Sequence, residues 1–181
     1  MKIVVMAGGK GSRMGGLEKP LLKICGRRIL EAVLEAAYEL SPNIYVAVSP
    51  NTPETREWCM RKGILIIDTP GNSYPNDIAY ILEKMDPPIL FLPADTPFIT
   101  AKLLKHFVEK AIGVDTGIVT LLASKHCFPQ DLAREHQTPL GISLFKRKHG
   151  GWANIIMCSF PDLLDIDTME DLEQAKGICG K

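Results

Sequence analysis

Residues 2 to 23 read KIVVMAGGKGSRMGGLEKPLLK, an apolar run followed at once by glycines and cations. The first part, KIVVMA at residues 2 to 7, predicts a buried β-strand because it is apolar after its leading lysine. Glycines then let the chain turn sharply where the strand ends, beside Lys10, Arg13 and Lys19. A basic turn and a loop that binds phosphates would both have this composition.

Strands and helices alternate after this stretch. Helical patterns cover 27–40, begin at Thr52, and cover 76–85 and 100–112, while strand patterns cover 43–49, 64–68 and 88–95. Such alternation is typical of parallel strands joined by right-handed crossovers. In the last third, GIVTLLAS, GISLFK and IIMCSF read as strands without full helices between them, and a short helix follows at 169–176. We therefore expect one α/β domain over residues 1–181, a mostly parallel sheet with mixed or antiparallel strands in its last third.

Composition limits the size, the partners and the location of the protein. The chain has 181 residues and a mass of 20.0 kDa, which suits one domain. Its 21 Lys and Arg balance 21 Asp and Glu, so no net charge attracts nucleic acid or a membrane surface. The apolar start at residues 3–7 is too short for a signal peptide or a membrane span, which favours the cytoplasm.

The cysteines are odd in number and contain no Cys-x-x-Cys pair. This pattern predicts reduced thiols rather than a disulfide framework or a zinc site. The five residues are Cys25, Cys59, Cys127, Cys158 and Cys179.

The glycine-rich loop lies at the edge where open parallel sheets bind ligands. Its backbone N–H groups, with the positive end of a following helix, would suit an anion. A P-loop is excluded because Gly11–Gly16 has the right spacing but is followed by Leu17-Glu18. A dinucleotide fingerprint that starts at Gly9 would need glycine in place of Met14.

The full pattern, MAGGKGSRMGG-x-x-KPL, resembles the signature of the molybdopterin-guanylyltransferase-like nucleotidyltransferases. The resemblance implies a Rossmann-like three-layer fold and catalytic roles for Arg13, Lys19 and Asp95. Backbone N–H groups of Gly8–Ser12 would hold the β- and γ-phosphates, Arg13 would bridge two phosphate oxygens, and Lys19 would lie at the α-phosphate. The nucleotide-binding residues that it implies are Ala7, Gly8, Gly9, Gly11, Ser12, Arg13, Met14, Gly15, Lys19, Asn51, Asp68, Thr69, Gly71 and Asp95. We expect the other two lysines of the stretch, Lys10 and Lys23, at the surface.

Two carboxylates are candidate ligands of Mg²⁺. Asp95 ends an apolar strand in the run Asp-Thr-Pro-Phe, which is similar to the family's Asp-x-Pro metal motif, with a turn cap as the alternative. The run LLDIDTMEDLEQA at 163–175 resembles the family's closing motif. It implies that Asp165 faces the metal while Asp167 and Thr168 cap a helix. Whether Asp165 or Asp167 is the second ligand, and whether Asp165 is only a neighbour of the site, stays open.

Base recognition is expected from the loops after the second and third strands, because these contact the purine in relatives. Asn51 lies in the first loop, and Asp68, Thr69 and Gly71 lie in the second. Asn51 and Asp68 are candidates to pair with a guanine edge, which would favour GTP over ATP. Each is equally well explained as a turn residue.

A narrower resemblance covers nearly the whole chain. The segments MAGGKGSRMGGLEKPLLKICGRRIL, AVSPNTPET, IIDTPG, TPLGISLFKRKHG and LDIDTMEDL are similar to the archaeal adenosylcobinamide-phosphate guanylyltransferases. The implied reaction joins GTP and a phosphorylated corrinoid to give the GDP-linked cobinamide and pyrophosphate. The alternatives are a molybdenum-cofactor guanylyltransferase, a sugar-phosphate nucleotidyltransferase and a nucleotide-binding module without turnover. The oligomeric state is not predicted.

The acceptor phosphate in such a reaction is mostly dianionic at neutral pH and needs no general base. Accordingly, the histidines His106, His126, His136 and His149 are expected at the surface. Cations and apolar area for the acceptor are available in KRKHGGW, as Lys146, Arg147, Lys148 and Trp152, although a solvated basic turn is the alternative.

Overall fold

The computed structural model describes residues 1–128 and 138–179. The helices in these residues are α1 (Ile29–Tyr38), α2 (Pro53–Arg61), α3 (Tyr74–Lys84), α4 (Ala101–Ile112) and α5 (Met169–Ile178). The strands are β1 (Lys2–Met6), β2 (Lys23–Ile24), β3 (Arg27–Arg28), β4 (Ile44–Val48), β5 (Ile66–Asp68), β6 (Ile89–Pro93), β7 (Ile118–Ala123), β8 (Thr138–Phe145) and β9 (Trp152–Met157).

A seven-stranded sheet in the order β5-β4-β1-β6-β8-β7-β9 organises the described part of the chain. Strands β5, β4, β1 and β6 run parallel to one another. Strand β8 is antiparallel to β6 and β7, and β9 is parallel to β7. The predicted α/β class, with antiparallel additions in the last third, is confirmed.

Helices cover the two faces of the sheet unequally. Along β1, Ile3 and Val5 enter one buried cluster with residues of α1, α2, α4 and α5, while Val4 enters a second cluster with residues of α3. This alternation follows from the two-residue period of a strand. Of the described helices, α3 alone contributes to the second cluster, so the β7–β8 part of that face is left with little helical cover.

The chain between β1 and α1 forms no α-helix, and α1 begins near the start of the helical pattern predicted at 27–40. Two short 3₁₀ turns, Ser12–Met14 and Lys19–Leu21, occupy this region, and the first α-helix begins only at Ile29. Left-handed glycines flank the first turn, at Gly11 and Gly15, and prevent it from continuing as an α-helix. The loop therefore has its own backbone N–H groups but no α-helix dipole behind it.

Disulfides join four of the five cysteines, so the prediction of reduced thiols is wrong for these. Cys25 pairs with Cys179 across 154 residues, and Cys127 pairs with Cys158 across 31. The first bond ties the β2–β3 turn to the end of α5, a proximity created by the fold that no spacing rule reveals. Cys59 stays a free thiol, and burial raises its pKa to about 11.

The lengths and hydropathies of the helices bear on membrane insertion. Across residues 1–128 and 138–179, every helix is too short or too polar to cross a bilayer.

Candidate active site

The glycine-rich loop forms one wall of a cleft of about 440 Å³ at the carboxyl end of β1. Gly11 fixes the shape of the loop, because its φ is +58° and a Cβ at this position would lie 2.3 Å from the Leu17 carbonyl oxygen. The Gly11 carbonyl also accepts from Met14 N at 2.9 Å and Gly16 N at 3.0 Å. Of the residues predicted to bind the nucleotide, the cleft is lined by Ala7, Gly9, Gly11, Ser12, Arg13, Lys19 and Asp95.

The other predicted loop residues, Gly8, Met14 and Gly15, do not line the cleft, and Gly15 is exposed. Met14 is only 4% exposed and packs in the core. The carbonyl of Gly8 accepts from Ser49 Oγ at 2.7 Å, which ties the loop to the end of β4. Lys10 and Lys23 are both exposed, as expected, and Lys10 also borders the cleft.

Lys19 and Arg13 both form ion pairs with the carboxylate of Asp167. Lys19 Nζ lies 2.7 Å from Asp167 Oδ1, and Arg13 Nη1 lies 2.8 Å from Asp167 Oδ2. Lys19 Nζ also lies 3.7 Å from Asp95 Oδ2. The structure therefore brings the three predicted catalytic residues, Arg13, Lys19 and Asp95, to one place.

Glu18 fixes the segment that carries Lys19. Its carboxylate accepts from the backbone N–H groups of Glu54 at 2.9 Å and of Thr55 at 2.7 Å, in the first turn of α2. These N–H groups have no partner inside the helix, and a carboxylate there is also favoured by the helix dipole. Lys19 is thus held on a short turn anchored to α2.

The segment that carries Asp165 and Asp167 is hydrogen-bonded to the backbone of Asp95. Ile166 N donates to the Asp95 carbonyl at 2.9 Å, which brings Asp165 and Asp167 to the site. Asp167 differs from its expected role because the cap of α5 is made by Thr168 and Asp171. Its carboxylate faces the two cations instead.

The carboxyl group of Asp95 is strongly perturbed. Burial, reinforced by the charges of Asp165 and Asp167, raises the pKa of Asp95 to about 7 even though Lys19 acts in the opposite direction. A divalent cation would offset this excess of negative charge, and carboxylate oxygens are the ligands that Mg²⁺ prefers. Among the described residues no three Asp, Glu, His or Cys side chains converge as a complete metal site. The donors present therefore fit an ion that is shared between one or two carboxylates and substrate phosphates.

The four residues predicted to contact the base do not line the cleft. Asn51 Nδ2 donates to the Gly71 carbonyl at 3.0 Å and lies 3.4 Å from the Gly8 carbonyl oxygen, so it links three loops. Thr69 is buried and donates to the Val48 carbonyl. Asp68 lies at the surface, where its two oxygens accept from Arg56 at 3.0 and 3.1 Å.

A second cavity, of about 580 Å³, opens on the thinly covered face of the sheet. Its apolar walls come from α3, β7, β8 and β9 and include Ile78, Leu82, Ile118, Phe145 and Trp152. At one end it shares Tyr74, Asp95 and Asp167 with the cleft. Two cavities of different chemistry thus meet at the acidic residues.

The three cationic residues predicted to bind the acceptor, Lys146, Arg147 and Lys148, do not line the second cavity. Lys146 Nζ donates to the carbonyls of Ala111 and Val114 at the end of α4. Arg147 lies 3.4 Å from Asp115 and Lys148 lies 2.8 Å from Asp86. Of the four predicted residues only Trp152 lines the second cavity, where it begins β9 and is 66% exposed.

The predicted surface histidines His106, His126 and His149 are exposed, and His136 lies outside the described residues. Sequence reasoning missed Tyr74, which lines both cavities. It also missed the part that Asp167 plays in the ion pairs. Tyr74 has no motif of its own, and Asp167, although it is part of the closing motif at 163–175, reaches the two cations only through long-range folding.

The chain is similar in sequence to known nucleotidyltransferases. Residues 3–149 match the family model of the MobA-like NTP transferase domain. The adenosylcobinamide-phosphate guanylyltransferase of Methanocaldococcus jannaschii is 32% identical over 193 residues, which covers 100% of this chain and 98% of that protein. A molybdenum cofactor guanylyltransferase of Rhodopseudomonas palustris is 33% identical over 136 residues, covering 70% of this chain and 62% of that protein.

A solved structure agrees with the fold. The molybdopterin-guanine dinucleotide biosynthesis protein A of Archaeoglobus fulgidus superposes with a TM-score of 0.68, at 19% identity and 99% coverage of both chains.

Proposed function

Because the chain belongs to the family with a MobA-like NTP transferase domain, and is therefore a nucleotidyltransferase, we propose that it transfers GMP from GTP to adenosylcobinamide phosphate. Pyrophosphate is the second product. The observation that supports a transfer between two substrates is that a polar cleft and an apolar cavity meet at Asp95 and Asp167. A site that only bound a nucleotide would need neither the second cavity nor the carboxylates at the junction.

The proposed roles of the residues are those that the family resemblance implies, and their places in the cleft support them. The backbone of Gly9–Ser12 and the guanidinium of Arg13 bind the β- and γ-phosphates. An oxygen of the acceptor phosphate attacks the α-phosphorus, a new P–O bond forms, and the bond to the β-phosphate oxygen breaks to release pyrophosphate. Lys19 lies at the α-phosphate and stabilises the charge that develops there. No general base is required because the acceptor phosphate is already ionised.

Mg²⁺ is the proposed cofactor, with Asp95 and either Asp165 or Asp167 as its carboxylate ligands. When bound, it neutralises charge on the phosphates and helps to align them. Asp95 would be ionised in that state because the cation favours the charged carboxylate.

Guanine is the proposed base, with recognition by the loops that carry Asn51 and Asp68–Gly71. Asn51 holds these loops together in the free protein, and Asp68 would leave Arg56 to accept from N1–H and the 2-amino group of guanine. That exchange is feasible because an exposed ion pair such as Asp68 with Arg56 contributes little stability.

The acceptor is proposed from two observations. The M. jannaschii cobinamide enzyme matches over its full length, whereas the molybdenum-cofactor relative matches over 62%. The apolar walls of the second cavity suit an acceptor with a large apolar body better than a sugar phosphate. We place the reaction in the cytoplasm, where GTP is available, although disulfides are uncommon there outside hyperthermophiles.

A pyrophosphate-release assay tests the proposal. Purified protein with Mg²⁺ is given each of the four nucleoside triphosphates together with adenosylcobinamide phosphate, molybdopterin or a sugar phosphate. We expect release with GTP and adenosylcobinamide phosphate. Turnover only with another acceptor would overturn the cobinamide assignment, and no release with any pair would overturn catalysis.

A further inference from the structure

One side chain, Tyr74, borders both cavities and stands where they meet. We propose that Tyr74 is a positioning residue: its ring flanks the junction at Asp95 and Asp167 through which the acceptor reaches the α-phosphate, and it keeps water from that phosphate. The inference rests on the proposed nucleotidyl transfer and extends it to the control of the competing hydrolysis.

The ring is fixed at both of its ends. Its backbone begins α3, where Ser73 caps the helix by accepting from Asn76 N. Its hydroxyl donates to the carbonyl of Gly141, in β8, at 2.7 Å. Tyr74 thus joins the helix on one side of the second cavity to the strand on the other.

The strand is shaped to receive the hydroxyl. Gly141 has φ of +74°, and a Cβ built there would lie 3.2 Å from Tyr74 Oη. A side chain at 141 would therefore be strained and would press on the tyrosine. The bare backbone at this point allows the short hydrogen bond.

The hydroxyl acts as a hydrogen-bond donor and not as a base. Tyr74 is 40% exposed, and a phenol has a usual pKa of about 10. The phenol therefore stays protonated at neutral pH and keeps its bond to Gly141. A geometric role follows, because a protonated phenol with its proton engaged cannot accept a proton from a substrate.

A barrier at this place has a chemical purpose. Lys19 would activate the α-phosphate toward water as well as toward the acceptor. In the competing reaction a water oxygen forms a bond to the α-phosphorus, the bond to the β-phosphate oxygen breaks, and the water proton passes to solvent. The products are GMP and pyrophosphate. Enclosure of a reacting phosphate is a common means of preventing this loss.

Three variants test the inference. Tyr74→Ala removes the ring, Tyr74→Phe removes only the bond to Gly141, and Tyr80→Ala is the control on the same helix. Tyr80 contacts Lys84 and does not line either cavity. Each protein is assayed for the KM of GTP, the KM of the acceptor, kcat, and pyrophosphate release from GTP and Mg²⁺ without acceptor.

For Tyr74→Ala we expect acceptor-free release to rise about tenfold and the acceptor KM about fivefold, with the GTP KM changed less than about twofold. Tyr74→Phe should raise acceptor-free release about threefold, and Tyr80→Ala should match the wild type. If Tyr74→Ala releases pyrophosphate without acceptor at the wild-type rate, the inference is overturned. If that variant does not fold, Tyr74→Phe decides by the same measure. The acceptor-free assay does not depend on the acceptor's identity, so failure of the cobinamide assignment leaves this test intact.

Discussion

The carboxylate of Asp167 lies 2.7 Å from the ammonium of Lys19, although 148 residues separate them in the chain. The side chain of Lys19 is only 17% exposed, so this ion pair is shielded from most of the solvent. Asp167 therefore sets the position of the cation before any substrate arrives. Preorganised charge of this kind is what lowers the barrier to a reaction in which charge develops.

Lys19→Ala tests that assignment. We expect kcat to fall roughly 10²-fold or more, with a smaller change in GTP affinity, because the ammonium acts on charge that grows in the transition state. Steady-state pyrophosphate release and equilibrium GTP binding measure the two quantities. The matched control is Lys23→Ala, an exposed lysine close in sequence. Equal losses in binding and rate would make Lys19 an ordinary phosphate clamp.

Asp95→Asn tests the metal. The amide keeps the shape of the carboxylate but removes its charge, so the Mg²⁺ concentration for half-maximal rate should rise about tenfold or more. Titration of pyrophosphate release with Mg²⁺ measures this value, and EDTA should abolish the wild-type activity. Asp86→Asn is the control because Asp86 is 85% exposed and pairs with Lys148 away from the site. An unchanged Mg²⁺ profile for Asp95→Asn would assign the ion to other residues.

Asp68→Asn tests base selection. If the carboxylate accepts from the guanine edge, its loss should lower the ratio of kcat/KM for GTP to that for ATP by about tenfold to a hundredfold. Arg56→Ala is the companion variant because it frees Asp68 from its ion pair without removing the carboxylate. That variant should keep the preference for GTP. A wild-type ratio in Asp68→Asn would exclude Asp68 from base recognition.

Thiol counting tests the disulfides. Without reductant, the native protein should react little with a thiol reagent at pH 8, because the remaining thiol, Cys59, is buried and its pKa is raised to about 11. Denaturation should expose one thiol per chain, and reduction in denaturant should expose all five. Five thiols in the unreduced, denatured protein would contradict both bonds.

The carboxyl ends of β1 and β6 were predictable because each strand is a buried apolar run that ends in a chemical motif. The two strands are neighbours in the sheet, so the glycine loop and Asp95 share an edge as expected. The ion pairs of Asp167 were not predictable, since they depend on the hydrogen bond from Ile166 N to the Asp95 carbonyl. Tyr74 escaped notice for a similar reason, because its partner, Gly141, lies in a strand 67 residues away.

The basic turn shows a different limit. The run that contains Lys146, Arg147 and Lys148 has the composition of an anion site, yet the carbonyls at the end of α4 and two surface carboxylates take up its cations. Composition alone does not distinguish a cation available to a ligand from one already engaged by the fold.

The bond between Cys25 and Cys179 turns most of the polypeptide into a covalent ring. Asp95 and Asp167 lie within that ring, while Arg13 and Lys19 lie on the short arm that precedes it. A protease that cut the backbone once inside the ring would open it without releasing a fragment. The nicked chain would keep its mass until a reductant was added, and the two halves of the site would stay tethered to each other.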